Sequence, residues 1–116
     1  MSDTIVDKPW GCEVIWAHTD KYVGKVLNIE KGHRLSEQFH RLKDETIYVL
    51  DGVLQLELNG GEEILYLTEG ESYRIKPGTV HRFIAPKHGT GVRLMEVSTP
   101  ELDDVVRTED DYNRAN

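Results

Sequence analysis

Much of the chain consists of short runs of Val, Ile, Leu and Tyr set off by Gly, Pro and Asp. Runs of that length and preference predict strands. In residues 53–58, Leu54, Leu56 and Leu58 alternate with Gln55 and Glu57, giving one apolar and one wet face. Residues 46–50, the pair Asp51-Gly52 and residues 53–58 together predict a hairpin, because Asp and Gly both tolerate positive φ in a two-residue turn. Asn59-Gly60-Gly61-Glu62 predicts a second turn, and residues 63–68 a returning strand. Glu69-Gly70-Glu71-Ser72 turns the chain again before Tyr73-Arg74-Ile75, which Pro77-Gly78 ends. Further strands are expected at residues 13–17, 22–29, 81–84 and 92–98. About eight short strands at this spacing imply an all-β barrel or double-sheet jelly roll. Only the stretch from Pro100 onward is a candidate for a short helical or irregular tail, with Ser98 or Thr99 as N-cap.

At 116 residues the whole chain, 1–116, reads as one domain. A chain of that length buries a little over roughly 60% of its unfolded surface, enough for a core without disulfides. The single cysteine, Cys12, has no internal partner, and no apolar run suits a signal peptide or membrane span. A cytoplasmic protein without a membrane partner is the expectation. A formal charge of -7 argues against nucleic acid as a partner. Much of that charge lies in residues 100–116, which read most simply as a solvated segment in which Arg107 and Arg114 pair with acidic neighbours.

The candidate chemistry sits in two places. Gln38 and His40 are two apart, so an extended strand points both the same way. Glu45 follows a polar loop, Arg41-Leu42-Lys43-Asp44, and His81 follows Lys76-Pro77-Gly78-Thr79-Val80. Two imidazoles, one carboxylate and one amide oxygen suit one borderline divalent ion: zinc first, with Mn, Fe or Co as alternatives. Four protein ligands leave positions open for water or substrate, which describes a Lewis-acid site.

The spacing Gly32-x5-Gln38-x-His40-x4-Glu45-x6-Gly52 resembles the first signature of the cupin superfamily, with Gln38 in place of the usual first His. Gly70-x5-Lys76-Pro77-Gly78-x2-His81 resembles the second, with Lys76 in place of a Pro. Leu35-Ser36-Glu37-Gln38-Phe39-His40 is similar to the Leu-Ser-x-Gln-x-His of phosphomannose isomerases. Lys8-Pro9-Trp10-Gly11 resembles the opening of the isomerase domain of type II members, and Asp103-Asp104-Val105-Val106-Arg107 through Arg114 resembles its end. The resemblance implies a cupin double-stranded β-helix and an aldose–ketose isomerase of a sugar phosphate, mannose 6-phosphate first. It implies Gln38, His40, Glu45 and His81 as metal ligands. Lys43 becomes a candidate for contacting a substrate oxygen or shuttling a proton. Arg107 is a candidate phosphate grip, since guanidinium pairs bidentately with phosphate. Trp10 would stack on the sugar and Ser36 would bind the phosphate. Lys43, Glu96 and His18 are all candidates for the base.

The chain departs from the pattern at Leu42, where type II members tend to carry a His. No Gly-rich nucleotide loop precedes Lys8, so sugar-nucleotide synthesis is not expected. A homodimer is implied by the resemblance alone. Two other functions fit the residues. His40, Glu45 and His81 also form the two-His-one-carboxylate set of non-haem iron oxygenases, and a non-catalytic sugar-binding cupin would need no base. Plainer readings exist for single residues: His18, His33 and His88 as turn or loop residues, Trp10 as packing, Lys43 as a solvated loop lysine, and Phe39, Phe83, Tyr48 and Tyr73 as barrel packing.

Overall fold

A computed structural model describes residues 4–114. The two ends of the expected single domain, residues 1–3 and 115–116, lie outside the described residues. The strands are β1 Thr4–Lys8, β2 Gly11–His18, β3 Val23–Ile29, β4 Glu37–Phe39, β5 Glu45–Asp51, β6 Leu54–Leu58, β7 Glu63–Leu67, β8 Ser72–Ile75, β9 His81–Ile84, β10 Val92–Ser98 and β11 Val106–Glu109. They form two antiparallel sheets, one ordered β1-β2-β3-β10-β5-β8 and the other β11-β4-β9-β6-β7. Among the described residues no helix is long and apolar enough to cross a membrane.

Strand alternation builds the interior. Ile47 and Val49 on β5, Leu54 and Leu56 on β6, Ile75 on β8 and Leu94 on β10 are fully buried between the sheets. Each such side chain contributes roughly 1.5–3 kcal/mol by leaving water. From β3 to β6 and again from β7 to β11, successive strands fall in opposite sheets. The fold is therefore a jelly roll, as the strand spacing predicts.

One sequence expectation fails, and of the two offered for the tail the helix is absent from the described residues. Asp51-Gly52 is not a hairpin turn: β5 pairs with β10 and β8, whereas β6 pairs with β7 and β9. The segment carries the chain from one sheet to the other. Gly52 adopts φ 85°, and a Cβ there would lie 2.3 Å from the Gly91 carbonyl oxygen. The tail contains no helix among the described residues. Turns over residues 102–103 lead into β11, which pairs with β4 in the register Val106↔Phe39 and Arg107↔Gln38. Edge pairing satisfies backbone groups that an isolated acidic helix of one or two turns would leave to water.

The tail is also not merely solvated. Arg34 makes two bonds to Asp111, at 2.7 and 2.9 Å, and the buried Arg82 donates to Leu35 O, Glu109 and Asp111. The Tyr112 hydroxyl lies 2.9 Å from His33 Nδ1. Arg114 pairs with Asp110, as expected.

Candidate metal centre and its cavity

Gln38 lies on β4, His40 just beyond it, Glu45 opens β5 and His81 opens β9. Because β4 pairs with β9, Gln38 stands opposite His81 on one sheet, while Glu45 faces them from the other. His40, Glu45 and His81 are 4%, 2% and 2% exposed, so all three are withdrawn from bulk water. Their ligating atoms lie within 4.8 Å of one another, a group able to hold a metal ion. Glu45 Oε1 is 3.5 Å from His40 Nε2 and 3.3 Å from His81 Nε2. Two donors each about 2.1 Å from one ion at a tetrahedral angle stand about 3.4 Å apart. The spacing fits.

Hydrogen bonding fixes which nitrogens face the centre. His40 Nδ1 is 2.6 Å from Asp104 O, and His81 Nδ1 is 2.8 Å from Thr79 O. A carbonyl only accepts, so each Nδ1 carries the proton and donates it. Each neutral ring then turns the Nε2 lone pair toward Glu45. Both Glu45 carboxylate oxygens are buried without a hydrogen-bond partner among the described residues. Lys43 Nζ sits 3.2 Å from Oε2, close enough for charge attraction without hydrogen-bond alignment. Burial pushes the Glu45 carboxyl up, but its surroundings, the Lys43 charge among them, outweigh it and hold it well below the usual carboxylate range. Two lone pairs and an anion converging on one point can hold a cation, and N, N, O donors suit a borderline divalent metal.

These residues line a cavity of ≈ 100 Å³ between the sheets. Ser36 and Gln38 line it together, the Gln38 amide nitrogen donating to Ser36 Oγ at 3.1 Å. Trp10 is 3% exposed, belongs to the apolar core and presents part of its surface to the cavity wall. Lys43, expected as a loop lysine on the plainer reading, is instead buried at the cavity, between Glu45 and Glu96. Arg107 lines the cavity from β11, and its Nε is buried without a hydrogen-bond partner among the described residues. Of the three candidates for the base, Glu96 and Lys43 line the cavity, while His18 ends β2 exposed and outside it. Leu42 is 69% exposed, so its departure from the family pattern removes nothing from the cavity wall.

Three features escape a reading of motifs. Glu13 and Lys25 line the cavity although neither belongs to a signature. Parity along the strand reveals Lys25, which shares the inward face of β3 with Val23, Leu27 and Ile29. Glu96 shares the inward face of β10 with Leu94 in the same way. Burial and the nearby Glu45 charge raise the Glu96 carboxyl, against the pull of Lys43 and Lys25. Burial alone would lower the Lys43 ammonium, but Glu96 and Glu45 raise it, so it stays charged.

The third feature is the role of Asp104, which the closing motif contains without revealing. Its carboxylate accepts from the backbone N–H of Arg41, Leu42 and Lys43 at 3.0, 2.7 and 2.9 Å, and its carbonyl accepts from His40. Those amides outweigh burial and hold its carboxyl at about 2. One residue of the tail thus pins the whole loop joining His40 to Glu45. Outer partners of ligands typically affect metal affinity 10–100-fold, roughly. Asp104→Ala keeps the carbonyl that holds His40 but releases the loop before Glu45, and is expected to weaken metal binding roughly 10-fold, read by competition with a chromogenic chelator.

The family whose description is "Cupin domain" matches residues 25–98. This chain is a cupin. Over 112 residues, 94% of the chain, it is 34% identical to the xanthan biosynthesis protein XanB of Xanthomonas campestris pv. campestris. It is 35% identical over the same length to the mannose-1-phosphate guanylyltransferase ManC of Salmonella typhimurium. The cupin spans 23% of each of these relatives. In structure it is similar to KdgF from Halomonas sp., with TM-score 0.76, 24% identity and coverage of 87% of this chain and 89% of the other.

Proposed function

We propose that this cupin is a metal-dependent isomerase interconverting an aldose phosphate and a ketose phosphate, with mannose 6-phosphate and fructose 6-phosphate the first pair to test. The observation that carries the reading is the convergence of His40, Glu45 and His81 in a cavity that also holds the Glu96 carboxylate, the Lys43 ammonium and an unpartnered Arg107 Nε. Curated relatives named for mannose 1-phosphate chemistry and xanthan synthesis support the choice of sugar.

In this reading His40, Glu45 and His81 hold the metal, with the Gln38 amide as a fourth ligand. When bound, the ion supplies a Lewis acid for the oxygens on C1 and C2 of the sugar. Isomerisation removes the proton on C2 and delivers one to C1, while the C1 carbonyl becomes a hydroxyl and the C2 hydroxyl a carbonyl. Glu96 is the carboxylate placed to carry that proton. Lys43, held 3.4 Å from Glu96, remains cationic and stabilises negative charge on the reacting oxygens. Arg107 receives the phosphate, the buried Nε gaining the acceptor it lacks. Ser36 and Trp10 line the sugar's path.

Metal-loaded protein is expected to form fructose 6-phosphate from mannose 6-phosphate, with activity lost on chelation. Glu96→Gln is expected to lower kcat by roughly 10²–10⁴. Arg107→Gln is expected to raise KM for the phosphorylated sugar roughly 10–100-fold, as loss of one or two charge-assisted hydrogen bonds does. Failure to form any ketose from mannose 6-phosphate or related aldose phosphates overturns the isomerase. Calorimetric binding without turnover would leave a sugar-binding cupin.

A further inference from the structure

The inward face of the six-stranded sheet carries a row of alternating charges that the proposed reaction only partly uses. Lys8 on β1 lies 3.8 Å from Glu13 on β2, and Glu13 lies 3.4 Å from Lys25 on β3. Lys25 lies 3.8 Å from Glu96 on β10, and Glu96 lies 3.4 Å from Lys43, beside Glu45. All six line the cavity. At strand spacings of about 4.8 Å, the row runs roughly 14 Å from β5 to β2.

Stability does not account for this row. Apolar side chains of similar volume in such positions serve folding as well or better than buried ion pairs. The pairs are also loose. Where this protein uses ion pairs to fasten chain segments, the contacts close to 2.7–3.3 Å, as in Arg34–Asp111, Arg74–Asp44, Arg82–Asp111 and Arg82–Glu109. In the cavity they stand at 3.2–3.8 Å. Lys25 is 7% exposed and carries three N–H donors, of which one has a hydrogen-bond acceptor among the described residues, Glu13 Oε2. Buried donors and acceptors left partly unused beside a cavity call for a ligand that both donates and accepts. A chain of vicinal hydroxyls does both.

We infer that Lys25 and Glu13 form a hydroxyl-binding pair that grips the part of a polyhydroxylated substrate remote from the metal-ligating residues. The pair sets which sugar chain the cavity accepts. This rests on the sugar-phosphate reading above.

The test measures binding and turnover separately, on metal-loaded full-length protein with mannose 6-phosphate. Binding is read by calorimetry and turnover as KM and kcat. Glu13→Gln and Lys25→Gln are expected to raise the dissociation constant and KM roughly 10–100-fold, with kcat and metal content within a few-fold of wild type. Lys25→Arg, which keeps the charge and guards against misfolding, is expected to restore most of the affinity. For erythrose 4-phosphate, which lacks the outer hydroxyls, wild type and variants are expected to bind alike. Unchanged mannose 6-phosphate affinity in Glu13→Gln and Lys25→Gln overturns the inference while leaving isomerisation standing. Weakened binding in those variants, with no turnover by wild type, sinks the isomerase and supports the hydroxyl pair. Absence of binding by wild type overturns both.

Discussion

Replacing His81 with alanine, or Glu45 with glutamine, is expected to weaken zinc binding by well over the ~100-fold that losing an outer partner costs. The reason is the arrangement of lone pairs. His40 and His81 each commit Nδ1 to a backbone carbonyl and turn Nε2 toward Glu45, whose two oxygens have no hydrogen-bond partner among the described residues. Removing one ligand leaves the others without the charge that brings them together. In wild type, metal at 1,000 times its dissociation constant adds about 4 kcal/mol to the folded state. For a domain of this size that raises the melting temperature by more than about 10 °C. His81→Ala and Glu45→Gln are expected to show almost none of that shift. His88→Ala, exposed and outside the cavity, serves as a control and is expected to shift as wild type does. A full shift in His81→Ala would place the ion elsewhere.

Gly52→Ala is expected to destabilise the protein by about 2–5 kcal/mol. A positive φ costs an L-residue roughly 1–2 kcal/mol, and a Cβ 2.3 Å from the Gly91 carbonyl forces backbone apart where overpacking costs about 1–3 kcal/mol more. Gly60→Ala is the informative comparison. It also has positive φ, 71°, but a Cβ there meets nothing within 4 Å, so about 1–2 kcal/mol is expected. The difference separates a crossing between sheets, packed against the segment before β10, from an open hairpin turn. Equal losses in the two variants, measured by urea unfolding, would contradict the crossing.

That same segment shows what local pattern can and cannot convey. Alternating apolar residues on either side of Asp51-Gly52 identify two strands, and both exist. Whether they pair with each other or part into opposite sheets depends on β10, some forty residues away, and nothing near Gly52 encodes it. Strand β11 went unread for a related reason, and β4 was legible only as the extended stretch carrying Gln38 towards His40. Each is short and polar, Glu37–Phe39 and Val106–Glu109, and becomes a strand only because the other and β9 are there to pair with. The helix expected after Pro100 rested on caps and acidic residues, signals that pairing with β4 overrides. The candidate metal ligands were legible because chemistry restricts them: two His and a Glu at motif spacing do converge. Glu13 and Lys25 were not, since isolated charges in strands usually face water. Parity with the buried Val23 and Leu27 carries the missing information for Lys25.

The most direct measurement is anomalous X-ray scattering from crystals of the metal-loaded protein. A single strong peak about 2.0–2.2 Å from His40 Nε2, His81 Nε2 and a Glu45 carboxylate oxygen is the expected result. A peak at any other group of side chains, or none in this cavity at saturating zinc or manganese, would contradict the metal centre on which the proposed chemistry depends.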